Sequence, residues 1–242
     1  MNDFVLEPRG PFDLSTAARF IAGWPPAARP GAAAGDERVV RLGFLVDDWS
    51  GHAGVVLRQR HVDGPVPVLF HSPYEAACWA VLSARIRQSQ AARVRDELSF
   101  AHGATLPVEG EMLPGFPAPE RLLAVGEARG LSEEKLRRLH GVAEVALAGD
   151  LDRDRLLAAP YDEALATLRA IRGIGSFWAE GILLRAVGTT DALALGEKRG
   201  RQAAAEAYGA PEVVDDDGAF LALAERWRPF RTWVAVLLRA TA

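Results

Sequence analysis

The chain has little cysteine, no long apolar run and no excess of positive charge. Its single cysteine, Cys78, excludes a disulfide framework and any zinc or iron–sulfur site built from several thiolates. Within "YEAACWAVL" it reads as a small core residue, the usual place of a free thiol. No uninterrupted apolar stretch approaches the roughly 20 residues of a membrane-spanning helix. The opening "MNDFVLEPRGPFDL" lacks the basic start and apolar run of a secretory leader. A cytoplasmic protein without a membrane partner is expected. The histidines, His52, His61, His71, His102 and His140, are scattered without ligand spacing, so no metal or triad is assigned to them. No Walker or dinucleotide glycine pattern occurs. The formal net charge is −4, so any binding of nucleic acid has to rest on a locally basic surface.

What is present is an ordinary globular composition, 49% apolar and 25% charged over 242 residues, enough for one large domain or two modest ones. The fold class expected is α+β, with a small N-terminal antiparallel sheet and helix over residues 1–70 and a mostly helical region over 71–242. "FVLEP" and "VVRLGFLVDDWSGHAGVVLRQRHVDGPVPVLF" are β-branched-rich runs broken by Gly, Pro and Asp, a strand-and-turn pattern. Between them "DLSTAARFIAGW" offers Asp13 or Ser15 as helix cap, and "PPAARPGAAAGDE" reads as a loop.

From Ser72 onward the pattern is helical. Ser72-Pro73 is a cap and first-turn signal, and Ser132 followed by Glu133 and Glu134 starts a run that stops at Gly149. Near the end, Pro229 divides two helices. In the middle, "LATLRAI" and "FWAEGILL" are apolar at helical spacing and flank Gly173-Ile174-Gly175. Such a turn suits glycines, which take positive φ without a Cβ penalty. The unpaired amides at the start of the next helix favour an anion, with Ser176 as a further donor. A contact of this kind positions a backbone and reads no base. A plain helix–helix turn without ligand is the alternative at this stage.

"LRAIRGIGSFWAEGILLRAVG" followed by "DALALGE" resembles the helix-hairpin-helix DNA glycosylases, in the 3-methyladenine DNA glycosylase II (AlkA-like) branch. "FPAPERLLA", "LSEEKLRRLHGVAEVALAGDLDRDRLLAAPYDEALATL" and "ERWRPFRTWVAVLL" match that branch in order, and the resemblance covers residues 72–242. The α+β leader fits the branch's small N-terminal domain.

The resemblance implies that the hairpin binds a DNA phosphate through Gly173, Gly175 and the amides of Ser176 to Ala179, Phe177 and Trp178 included. Arg172 stands where a proline is usual and offers a further contact. No cofactor is required, but the carbonyls of Arg169, Ile171 and Ile174 match a structural Na+ or K+ site. The catalytic carboxylate, 22 residues past the second glycine, becomes Glu197, where the family has aspartate; Ala194 replaces a usual proline. A carboxylate there stabilises the positive charge that grows on the sugar as the N-glycosidic bond breaks, and it orients the attacking water. Glutamate's extra methylene moves that charge by more than ~1 Å in a site that tolerates roughly 0.5 Å. Glu197 therefore serves a rebuilt pocket, marks reduced activity, or is a surface residue paired with Lys198 or Arg201. Asp191 reads as a loop or cap residue.

Phe177 occupies the place of the lyase lysine of bifunctional relatives, which implies a monofunctional enzyme, with Lys198 left as a candidate. It also matches an aromatic of the base pocket. Gly181 and Arg239 replace two other pocket aromatics, so a wider or more polar pocket is implied. The wedge that fills the gap left by a flipped nucleotide falls on Ala84 and Arg85, and Arg85, Arg87, Arg93 and Arg95 are expected to supply a basic surface. The function implied is a monomeric base-excision repair glycosylase acting on alkylated purines in duplex DNA, cytoplasmic and nucleoid-associated. A catalytically weakened or inactive DNA- or lesion-binding protein is the alternative, and a scaffold for protein contacts a third.

Overall fold

The computed structural model describes Val5 and residues 13–23, 39–59 and 72–241. The loop expected at 25–37 and the strands expected in "FVLEP" and "VPVLF" lie outside the described residues, Val5 apart. Helix α1, Leu14–Gly23, is capped by Asp13, whose carboxylate accepts from the Ser15 amide at 2.9 Å. It packs Leu14, Ala17 and Ala18 on Val40 of strand β1, Val39–Leu45. Strand β2, His52–Arg58, pairs antiparallel with β1, Val39 facing Arg58 and Leu45 facing His52.

The helical region opens with α2, Pro73–Ser83, as the capping signal requires: Ser72 Oγ accepts the Glu75 amide at 3.2 Å. Every residue from Pro73 to Leu82 is buried, so α2 is the axis of the molecule rather than an amphipathic surface helix. Burial of side chains such as Trp79 and Leu82 contributes about 1.5–3 kcal/mol each. Cys78 is among them, and burial pushes its thiol well above its ordinary range.

Helix α3, Gln88–His102, follows a four-residue break, and then the chain departs from the helical expectation. Strands β3, Ala104–Val108, and β4, Glu111–Gly115, form a hairpin whose turn residues Glu109 and Gly110 have φ of +48° and +84°. Two-residue hairpin turns require that backbone. The new hairpin lies on β1–β2. A Cβ at Gly54 would fall 2.6 Å from Val108 Cγ2, and one at Gly43 would fall 3.1 Å from Leu106 Cδ1. Residues 104–115 thus form a separate two-stranded sheet that covers the one made by residues 39–58.

Helices α4, Pro119–Leu123, α5, Glu133–Leu147, α6, Arg153–Ala158, and α7, Tyr161–Ala170, share the main core with α2, against which α5 packs directly. Ser132 caps α5, accepting the Lys135 amide at 3.3 Å, and Gly149 follows its end with φ +82°. Helix α8, Ser176–Ile182, runs into a π turn, Leu183–Val187, that stops at left-handed Gly188. A second helical cluster holds α9, Lys198–Tyr208, α10, Asp217–Ala224, and α11, Arg231–Thr241, around Ala204, Phe220 and Trp227. Among the described residues no helix is long and apolar enough to cross a membrane.

Candidate functional site

The hairpin joins α7 to α8 in five residues, and burial alternates through it. Ile171 and Ile174 are buried and anchor the turn in the core, while Arg172, Gly173, Gly175, Ser176 and Phe177 are exposed. The Ile174 amide donates to the Ile171 carbonyl at 3.0 Å, closing the turn and leaving that oxygen a second lone pair. Gly173 takes φ +102°, and a Cβ there would meet Arg138 Cδ at 3.3 Å. Gly175, the N-cap of α8, has an ordinary φ of −84° and open space where a Cβ would be. Nothing within the described fold therefore requires a glycine at this position.

The amides of Ser176, Phe177 and Trp178 form the first turn, which has no intrahelical partners. The Ala179 amide does not join them: it donates to the Gly175 carbonyl at 2.9 Å, and its methyl is fully buried. Trp178 packs its ring on the core, so its amide alone is available. Phe177 is 57% exposed and stands edge-on to Trp178 at 5.7 Å between ring centres.

Glu197 lies at a seam. The segment leading to it is clamped on α11. Thr232 Oγ1 accepts the Ala192 amide at 3.0 Å and donates to its carbonyl at 2.8 Å, and the Thr232 amide reaches the Thr190 carbonyl at 3.0 Å. Asp191 receives Arg231 Nε and Arg228 Nη1, each at 2.7 Å, so its carboxyl is held below the usual range, chiefly by the Arg231 hydrogen bond. Asp191 is a structural anchor. Arg201 Nη1 donates to the Leu195 carbonyl at 3.0 Å.

The clamp delivers Glu197 to the N-cap of α9, where its Oε2 accepts the Gly200 amide at 2.6 Å. The same oxygen is 3.4 Å from Arg239 Nε on α11. Arg185, from the π turn, is the third charge of the group. Burial brings its pKa down to about 10, repulsion from Arg239 adds to this, and attraction to Glu197 opposes it. The charge seen by Glu197 therefore comes from Arg239 and Arg185. Of the surface partners weighed from the sequence, Arg201 is engaged elsewhere, with Asp217 and the Val213 carbonyl. Sequence reasoning took Arg239 as a lost aromatic and passed over Arg185; residues 12 and 42 positions from Glu197 give no local signal.

Arg85 occupies the tip of the break between α2 and α3, exposed and at φ +60°. Strained backbone of this kind concentrates at functional positions. The basic surface expected here needs one correction. Arg95 is 3% exposed, lies 5.5 Å over the Trp79 ring and donates to Asp96, so burial removes it from any surface. Arg85, Arg87 and Arg93 remain exposed. A cleft of about 550 Å3 near the start of α5, bordered by His102, Glu127, Arg129 and Glu133, includes no residue of the hairpin and neither Glu197 nor Arg85.

With the hairpin, the Glu197 cap and the small sheets in place, the chain has the fold of DNA glycosylases of known structure. The 3-methyladenine DNA glycosylase of Archaeoglobus fulgidus superposes with a TM-score of 0.72 over 96% of both chains, at 17% identity. A 3-methyladenine DNA glycosylase of Schizosaccharomyces pombe, in complex with abasic DNA, gives 0.51 over 72% of this chain and 82% of that one, at 22% identity. In sequence, the DNA-3-methyladenine glycosylase of Bacillus subtilis is 28% identical over 116 residues, 46% of this chain and 38% of that protein. The match thus spans well under half the length of this curated relative. No protein-family model matches the chain.

Proposed function

We propose that the chain is a monofunctional DNA glycosylase of base-excision repair, of the AlkA-like branch, that hydrolyses the N-glycosidic bond of a damaged, alkylated purine in duplex DNA. The observation that carries this reading is Glu197. It is the cap of α9, held by the Gly200 amide at 2.6 Å and faced by Arg239 at 3.4 Å, in a fold shared with a 3-methyladenine glycosylase over 96% of the chain.

In this reading the amides of Ser176, Phe177 and Trp178 take a phosphate beside the lesion, with Gly173 and Gly175 letting the backbone approach closely. Arg172 adds a charge at the rim. The carbonyls of Arg169, Ile171 and Ile174 would hold a monovalent cation, whose field strengthens the hold on the phosphate. Arg85 fills the gap left by the extruded nucleotide, and the open face of Phe177 stacks on its base.

The bond from C1′ to the base nitrogen breaks with its electron pair going to the base, and water attacks C1′. The positive charge that builds on the sugar is stabilised by the Glu197 carboxylate, whose orientation the Gly200 amide fixes. Arg239 locks the carboxylate from the other side. An alkylated purine is already cationic, so it departs neutral without needing a strong acid. The working protein is a monomer of the cytoplasm that associates with the nucleoid.

The test is release of free base from a labelled duplex carrying 7-methylguanine or 3-methyladenine. Glu197→Gln keeps an acceptor for the Gly200 amide and is expected to lower single-turnover release by about 10²–10³-fold. Full release by that variant would remove Glu197 from the chemistry. Tight duplex binding without release of either base would support a binding protein instead.

A further inference from the structure

The start of α5 carries a charge cluster of which the reading above uses Arg172 alone. Glu134 receives Arg138 Nε at 2.9 Å, Arg137 Nη2 at 2.9 Å and Arg172 Nη2 at 3.1 Å. Two of these arginines come from the helix itself, at i+3 and i+4, and the third from the hairpin. Arg138 also runs beneath the turn, its Cδ 3.3 Å from the position of a Cβ at Gly173. The cluster therefore borders the proposed phosphate grip directly.

Stability does not account for it. The side chains of Arg137 and Arg172 are 64% and 79% exposed, and exposed ion pairs hold a fold weakly. Helix α5 is fixed instead by Leu136, Leu139, Val142 and Ala143, all buried. Lys135 is already used, its Nζ donating to the Leu82 carbonyl at 2.7 Å. Three arginines against Glu134 and its exposed neighbour Glu133 leave this face net positive.

We infer that Arg137, Arg138 and Arg172 form a second phosphodiester contact beside the hairpin, and that Glu134 competes with DNA for their guanidiniums. The inference rests on the DNA-binding reading of the hairpin. Guanidinium binds phosphate as readily as it binds a carboxylate, so a backbone phosphate can take the place of Glu134, which each arginine reaches through one nitrogen. The carboxylate aims them in the free protein and is displaced in the complex. Hydrogen bonding from Arg138, with the charges of Arg172 and Arg137, keeps the Glu134 carboxyl below its usual range, so it competes as an anion throughout neutral pH.

The experiment is equilibrium binding of the full chain to an undamaged fluorescent duplex across a series of NaCl concentrations. Replacing both Arg137 and Arg138 by alanine should flatten the plot of log affinity against log salt by about two charges' worth, near 0.9 per contact. Glu134→Gln should tighten binding severalfold at every salt, and Glu133→Gln by clearly less. An unchanged salt slope in the arginine variant, with the wild type binding normally, would overturn the contact. Equal gains from the two glutamine variants would show bulk charge rather than release of arginines, and would overturn the role of Glu134. A wild type that binds no duplex sinks the glycosylase reading itself, a distinct outcome. Melting curves confirm that each variant is folded.

Discussion

Gly173 and Gly175 are two residues apart, of the same type, and lack a side chain for different reasons. Gly173 needs its positive φ of +102°, and an added methyl would press on Arg138. Alanine there costs at least about 1 kcal/mol of stability and should lower the melting temperature along with DNA affinity. Gly175 has relaxed backbone and open space, so alanine should leave the melting temperature within a degree or so while weakening duplex binding. Equal melting loss in both variants would mean that the second glycine serves the fold after all. Glu197 shows the same separation of demands. Its carboxylate is a helix cap whatever else it does, and Glu197→Gln preserves that bond while removing the charge.

At the level of elements, the segment between the π turn and α9 is held by what it leans on. Asp191 is gripped by Arg231 and Arg228, and its carboxyl is depressed by that grip. A carboxyl with a lowered folded pKa contributes stability that is complete above its ordinary value of 3.8 and fades as pH falls through the lower folded value. Asp191→Asn should therefore melt roughly 2–4 °C below the wild type near neutral pH, and the difference should begin to narrow as pH falls below about 4. A gap that stays undiminished as pH is lowered well below 3.8 would assign the loss to packing instead of charge.

Elements with local signals were legible in the sequence. Ser72-Pro73 and Ser132 start helices α2 and α5, as their capping hydroxyls require, and the paired glycines announce the hairpin. The β3–β4 hairpin was not legible, because Pro107 and Pro114 sit inside its strands and proline argues against a central strand. Its turn is Glu109-Gly110 rather than an Asn-Gly or Asp-Gly signal. Nor does periodicity distinguish a π turn from the α-helix it extends, so Arg185 was hidden. The grouping of Glu197 with Arg185 and Arg239 is a tertiary fact, made by packing two helical clusters side by side.

For the whole molecule, the decisive joint is where residues 104–115 meet residues 39–58. Val108 is buried and β-branched, hence stiff, and the missing side chain at Gly54 makes room for it. Gly54→Ala overpacks that contact and should destabilise the protein by about 1–3 kcal/mol, seen as a lower melting temperature. Gly51→Ala, with nothing within 4 Å of the new methyl, is the matched control and should melt close to wild type.

That joint also sets an order of events during synthesis. Strand β2 ends at Arg58 and β4 ends at Gly115, so the ribosome has 57 more residues to add before the covering hairpin is complete. At 5–20 residues per second this is a delay of roughly 3–11 s, during which the apolar face that later meets Leu106, Val108 and Leu113 has no native cover. Strands β1 and β2 thus wait for their neighbours, and the nascent chain is open to misassociation well before the glycine hairpin or Glu197 has been made.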